Sequence, residues 1–114
     1  MKIEALTSWP DPAYFVHGLG DTLPIRHSVD DQMACLVFES RQLGESWIRA
    51  VADSFEMDFE LIAASVEDCF NILSHMKRQD VSLIWLNPPA LATFNAVFHD
   101  LDVTLELLRQ IHDA

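Results

Sequence analysis

The residues best suited to chemistry are His99, Asp100 and Asp102, an imidazole and two carboxylates within four positions of the string HDLD. An imidazole beside carboxylates is what acid–base catalysis or a metal ion uses. Elsewhere the chemistry-bearing types are scattered. His17, His27, His75, His99 and His112 include no i, i+4 pair, so the helical metal motif is incomplete. Ser40 closes the string LVFES and Asn87 closes LIWLN, each where an apolar run stops. Both are candidate ligand contacts, although Ser40 as a nucleophile needs a base beside it and is also placed to cap a helix. Asp58 and Glu60 share one face of a strand, where they discourage edge pairing; no apolar enclosure is evident to separate their acidities. Gly18-Leu19-Gly20 lacks the third glycine of a phosphate loop and runs into Thr22-Leu23-Pro24 instead of a helix. No cofactor or metal is expected.

The elements that position these residues can be read from periodicity. Val81–Leu86 (VSLIWL) is apolar on both strand faces, as an interior strand requires, and Pro88 and Pro89 end it by removing ladder donors. Met33–Glu39 is a second apolar strand. The segment 57–63 alternates apolar and acidic, so it is a strand nearer an edge. Between these strands, Leu43, Trp47, Val51 and Phe55 recur every four residues after Ser40. Val66, Cys69, Phe70, Leu73 and Met76 form a second helical stripe behind a capping Ser65. Strand, helix, strand, helix, strand implies right-handed parallel crossovers. The expected order places 33–39 between 57–63 and 81–86, with a crevice between Glu39-Ser40 and Asn87 where ligands bind such sheets. Tyr14–His17 and Leu23–Val29 form an antiparallel ribbon expected to extend the sheet beyond 81–86, and 90–98 fits a helical turn or a short strand. Val103, Leu107 and Ile111, with Leu108 adjoining, mark a C-terminal helix. Leu101, Leu105 and Leu108 give it a second apolar side, which points to a homodimer contact. The fold class is therefore α/β, a single domain over residues 1–114 with a mixed sheet, a parallel β-α-β-α-β core and an extended segment at 1–12.

The chain has 114 residues, half of them hydrophobic, enough for one core. Seven basic against 18 acidic residues give a net charge of −11. Such a field repels phosphate backbones and anionic lipid, so neither nucleic acid nor membrane is expected as a partner, and no apolar run is long enough to span a bilayer. It suits solubility and complementarity to a basic protein. The start of the chain lacks a signal-peptide core, and the expected location is cytoplasmic. There Cys35 and Cys69, both on apolar stripes, are expected as buried reduced thiols, with a disulfide between them left open. Trp9, among Ser8, Pro10 and Pro12, is either an anchor for a partner or a lid on its own domain.

From Met33 to His112 the chain also resembles a known family. The strand ending LVFES, the helix with Trp47, the helix carrying FNIL, the strand closing in LNP and the leucine-rich last helix resemble the N-terminal domain of SseB-like proteins. The resemblance implies an α/β module without an established reaction and carries over no catalytic residue. The expected function is a non-enzymatic, acidic protein-interaction module, an accessory, inhibitor or immunity-like protein. The alternative is a small-ligand or enzymatic site at the strand ends, using Ser40, Asn87 and His99.

Overall fold

The apolar run around Cys35 becomes the middle of the molecule because both of its faces and both of its edges find partners. The computed structural model describes residues 2–21, 23–55, 58–89 and 96–113, with the side chains of residues 53 and 55 outside that description. The strands are β1 (Lys2–Ile3), β2 (Ala13–Gly18), β3 (Arg26–Val29), β4 (Gln32–Val37), β5 (Phe59–Ala64), β6 (Val81–Leu86) and β7 (Val97–Asp100). The helices are α1 (Arg41–Phe55), α2 (Val66–Arg78) and α3 (Leu101–Asp113). The Cα radius of gyration, 13.4 Å, is that of one compact domain of this length.

Five strands form a mixed sheet in the order β1-β7-β6-β4-β3, and β2 pairs with β5 in a separate antiparallel ribbon. The α/β class, the mixed sheet and the C-terminal helix agree with the sequence reading, and β4 and β6 are parallel neighbours as expected. The place of the third core strand differs. β5 does not join β4, because that edge of β4 is occupied. Arg26–Val29 pairs with Gln32 to Cys35 along it, and Tyr14 and Phe38 exchange backbone hydrogen bonds of 2.8 and 2.9 Å just beyond its end. β5 instead pairs antiparallel with β2, from Ala13↔Ala64 to Gly18↔Phe59, and lies on the outside of the ribbon, as its alternating pattern requires. The segment 14–29 therefore lies on the β4 side of the sheet, and the strands beyond β6 are β7 and β1. Residue 57 and residues 90–95 lie outside the described residues; of the ambiguous segment 90–98, Val97 and Phe98 are strand.

Alternation along β4 sends its side chains into two layers. Cys35 and Val37 meet Cys69, Leu73, Met76, Leu101 and Leu108, so α2 and α3 cover one face. Leu36 and Phe38 meet Trp47 and Ile48 of α1 on the other. The ribbon continues the middle layer, with Phe15 on the α2 side and Val16 on the α1 side. Ser40 and Ser65 cap their helices by accepting from the amides of Leu43 and Asp68, each at 3.2 Å, and Asp100 does the same for Val103 at 3.0 Å.

The buried stripe of α2 is the one its periodicity indicates: Cys69, Leu73 and Met76 are buried and Val66 and Phe70 half-buried. In α1 the expected stripe holds at Trp47 and Val51 and fails at Leu43, with Gly44 and Ile48 turned inward beside it. Leu43 is 41% exposed, while Gly44 and Val51 are buried and Trp47 and Ile48 half-buried. Trp47 stands between Phe38 and Phe59, with centroids 6.0 and 5.9 Å away. Gly44 permits this approach, since a Cβ built there would lie 2.6 Å from Leu61 Cδ1. Gly44→Val is accordingly expected to lift α1 off the ribbon and cost about 1–3 kcal/mol of stability by overpacking. Urea unfolding should show a lower midpoint with an unchanged slope; an unchanged midpoint would contradict the close contact.

Candidate functional site

Ser40 and Asn87 do come together, at the carboxyl ends of β4 and β6. Pro88 denies Asn87 a right-handed helical conformation, and Asn87 takes the left-handed one, with φ 52°. In that conformation its N–H donates to Val37 O at 2.7 Å, and its Oδ1 accepts from the Glu39 N–H at 2.9 Å. The side chain thus ties the two strand ends across the place where the crevice was expected. The Ser40 hydroxyl is engaged one residue further on, as the α1 cap. This arrangement orients backbone.

His99 lies on β7 and does not combine with the acids beside it in sequence. Its Nδ1 is 2.7 Å from Glu4 O, which as a carbonyl oxygen accepts, so Nδ1 carries the proton and the ring fastens the N-terminal segment to the sheet edge. Asp100 caps α3, and Asp102 pairs with Lys77 at 2.7 Å. Among the described residues no three His, Cys, Asp or Glu side chains gather as a metal site. Glu4 is exposed and pairs with Lys2 at 2.9 Å; that hydrogen bond holds its carboxyl below the ordinary range and lifts the Lys2 ammonium.

Trp9 is 8% exposed and belongs to the main core with Ala13, Ala64 and Cys69. It is a lid on its own domain, so of the two readings of Trp9 the burial selects the lid and leaves no indole held out as an anchor for a partner. Its buried Nε1–H has no hydrogen-bond partner of ordinary geometry, sulfur included, although the Cys69 thiol is near enough to be influenced by it. Burial raises the Cys69 pKa, and the N–H groups of Trp9 and Ala13 partly oppose that rise. Both cysteines are free and buried. Burial pushes the Cys35 thiol up to about 12, against a partial offset from Arg26. Neither thiol is poised as a nucleophile at neutral pH.

Two hollows lie where no motif pointed. One of about 390 Å³ sits between α2 and α3, lined by Glu67, Phe70, Asn71, Arg109, His112 and Asp113. Another of about 250 Å³ lies between α2 and the turn after β2, bounded by His17, Leu23, Pro24 and His75. Their polar side chains belong to helix faces or turns that carry no recognisable spacing, so only the packing of α2 reveals them. Arg109 lies over the Phe70 ring at 5.8 Å and bonds Glu106 at 3.3 Å, which leaves its guanidinium already engaged.

No family model matches the chain, and no curated protein does either. No helix among the described residues is long and apolar enough to cross a membrane.

Two outcomes follow from the geometry. Asn87→Ala loses the Glu39 bond and keeps a β-carbon in the left-handed region without the polar side chain that makes Asn tolerant of it, so it should cost about 2 kcal/mol, whereas Asn87→Gly loses the bond but removes that β-carbon and should cost about 1 kcal/mol. Chemical denaturation of the pair checks this, and equal losses would refute the backbone role. Cys35 keeps its proton in the folded state long after the unfolded chain has lost it. Its contribution is complete below its ordinary value of 9.0 and is lost as pH rises towards about 12, at about 1.4 kcal/mol per pH unit. Cys35→Ala should flatten that part of the stability profile; an unchanged slope between those values would show that Cys35 is not its source.

Proposed function

We propose that this protein is a non-catalytic interaction module whose acidic surface meets a basic protein. The observation that carries the reading is the excess of surface acid. Lys2, Arg41, Lys77 and Arg109 lie in exposed pairs with Glu4, Glu45, Asp102 and Glu106. Even with all seven bases neutralised, the 18 acids leave eleven charges over. Such a surface accelerates encounter with a cationic partner and disfavours anionic ones. The engagement of Ser40, Asn87 and His99 in backbone hydrogen bonds favours this reading over a reaction at the strand ends. A cytoplasmic accessory, inhibitor or immunity-like role, and the resemblance to the N-terminal domain of SseB-like proteins, fit it as well. Self-association through α3 is a second reading, favoured by the exposure of Val103 and Ile111 on that helix.

Immobilised protein incubated with its own cell extract at ~50 mM salt should retain a partner of high isoelectric point. The purified pair should bind at least ~10-fold more weakly at ~300 mM salt, because exposed charges are screened over about a Debye length. Retention of acidic partners only, or affinity indifferent to salt, would refute the charge-based reading.

A further inference from the structure

β5 is bonded along one edge only. Its residues pair with β2, and among the described residues no strand lies along the other side. The bonds of β2 decide which backbone groups of β5 face that open side. Tyr14 exchanges backbone hydrogen bonds with Phe38, and Val16 O accepts from the Ile25 N–H at 2.7 Å, so these two residues turn away from β5. Alternation in an antiparallel ladder then leaves Ala13, Phe15 and His17 to bond β5, through Ala64, Ile62 and Glu60. The N–H and C=O groups of Leu61 and Ala63 therefore point outward, where no hydrogen bond among the described residues meets them. Ala63 is exposed and Leu61 half-buried, so the edge can be reached.

The two faces beside this edge differ. Phe59 and Leu61 belong with Val16 and Trp47 to the apolar layer under α1, and both are half-buried, so that layer ends on partly uncovered carbon. On the opposite face stands the exposed Glu60, with the exposed Asp58 just before the strand. Residues 53–68 hold six acids and no Lys, Arg or His. Asp58, Glu60, Glu67 and Asp68 share no ion pair with any described residue. A second copy paired edge to edge would set its own acids against these, and like charges oppose such a ladder. A strand carrying Lys or Arg is attracted by the same charges. Alternation lets it place cations beside Glu60 and apolar side chains beside Leu61.

We infer that the free edge of β5 takes up an extended segment of a basic partner protein as an added strand, bonded through the outward N–H and C=O groups of Leu61 and Ala63. The segment alternates basic with apolar residues. This rests on the reading of the protein as an acidic module for a basic partner, and adds where the partner binds and in what form.

A fluorescein-labelled peptide of alternating lysine and valine serves as the probe, with the same peptide N-methylated at every residue as control, which keeps the charge and removes the ladder donors. Fluorescence anisotropy with the intact chain should show binding at ~50 mM salt that weakens at least ~10-fold at ~300 mM. The N-methylated peptide should bind at least ~10-fold more weakly. Amide hydrogen exchange followed by NMR should show bound peptide slowing Leu61 and Ala63 and leaving Ile62, already bonded to β2, unchanged. Ala63→Pro removes an outward donor without touching the ladder to β2 and should weaken binding ~10-fold, with circular dichroism confirming the fold. Glu60→Lys should weaken it as well, and unchanged affinity there would overturn the basic character of the occupant. Equal, salt-sensitive binding of both peptides with no slowing at Leu61 and Ala63 would overturn the added strand and leave the charge-based reading standing. No binding of the alternating peptide at low salt would also overturn the added strand, while retention of a basic partner from extract decides the charge-based reading separately. The exchange measurement uses the unsubstituted chain, so it decides the point whether or not Ala63→Pro folds.

Discussion

β4 has neither a free face nor a free edge, and the rest of the architecture depends on that saturation. One edge carries the parallel ladder to β6, and the other is shared by β3 and, beyond the strand's end, by Tyr14 of β2. Its faces are closed by α2 and α3 on one side and by α1 on the other. A backbone group already bonded has nothing to offer another strand, so β5 must find its hydrogen bonds elsewhere, and β2 supplies them. The ribbon then needs the same two helical layers as the sheet, which it obtains from Val16 under α1 and Phe15 under α2. Gly44 and Trp47 set the depth of one of these contacts, and Cys69 with Leu73 sets the other.

Features decided within one element were legible in the chain. The apolar run Val81–Leu86 stops at its prolines, Ser40 and Ser65 cap their helices, and the α2 stripe is buried as its spacing indicates. Features decided between distant elements were not. Which strand β5 joins depends on whether an edge of β4 is vacant, and that vacancy is removed by residues 14 and 26–29, far away in sequence. In α1 and α3 the difficulty is one of phase. Both helices carry two overlapping apolar rows, and regular spacing cannot say which row meets the core when the choice turns on a close approach at Gly44 or on the fit of Thr104. Thr104 illustrates the point, because its hydroxyl donates to Asp100 O at 2.8 Å and so becomes acceptable inside.

The strand-end residues show how position and chemistry separate. Asn87 lies where ligands bind many open α/β sheets, yet its amide oxygen completes the parallel junction by accepting from Glu39. The two prolines that make Asn87 conspicuous in sequence also create the geometric problem that its side chain solves. His99 follows the same pattern: the neighbours HDLD suggest are directed to helix capping and a surface ion pair, and the ring bonds the carbonyl of Glu4, remote in sequence. Sequence adjacency placed the right types together, and the helix start at Leu101 pulled them apart.

An excess of surface acid and an exposed apolar flank act over different distances. Unpaired surface charge is felt over about 8–10 Å at ordinary ionic strength, so it biases which molecules approach and how fast. Apolar contact acts only when surfaces touch, and it yields little if like charges must be crowded together to reach it. The pairs Lys77–Asp102 and Arg109–Glu106 are each worth little to stability as exposed ion pairs, but they lower the net negative charge along α3. Their physical effect is therefore read better from where they sit than from what they add to the fold. The remaining acids, spread from Asp11 to Asp113, set the sign of the long-range field.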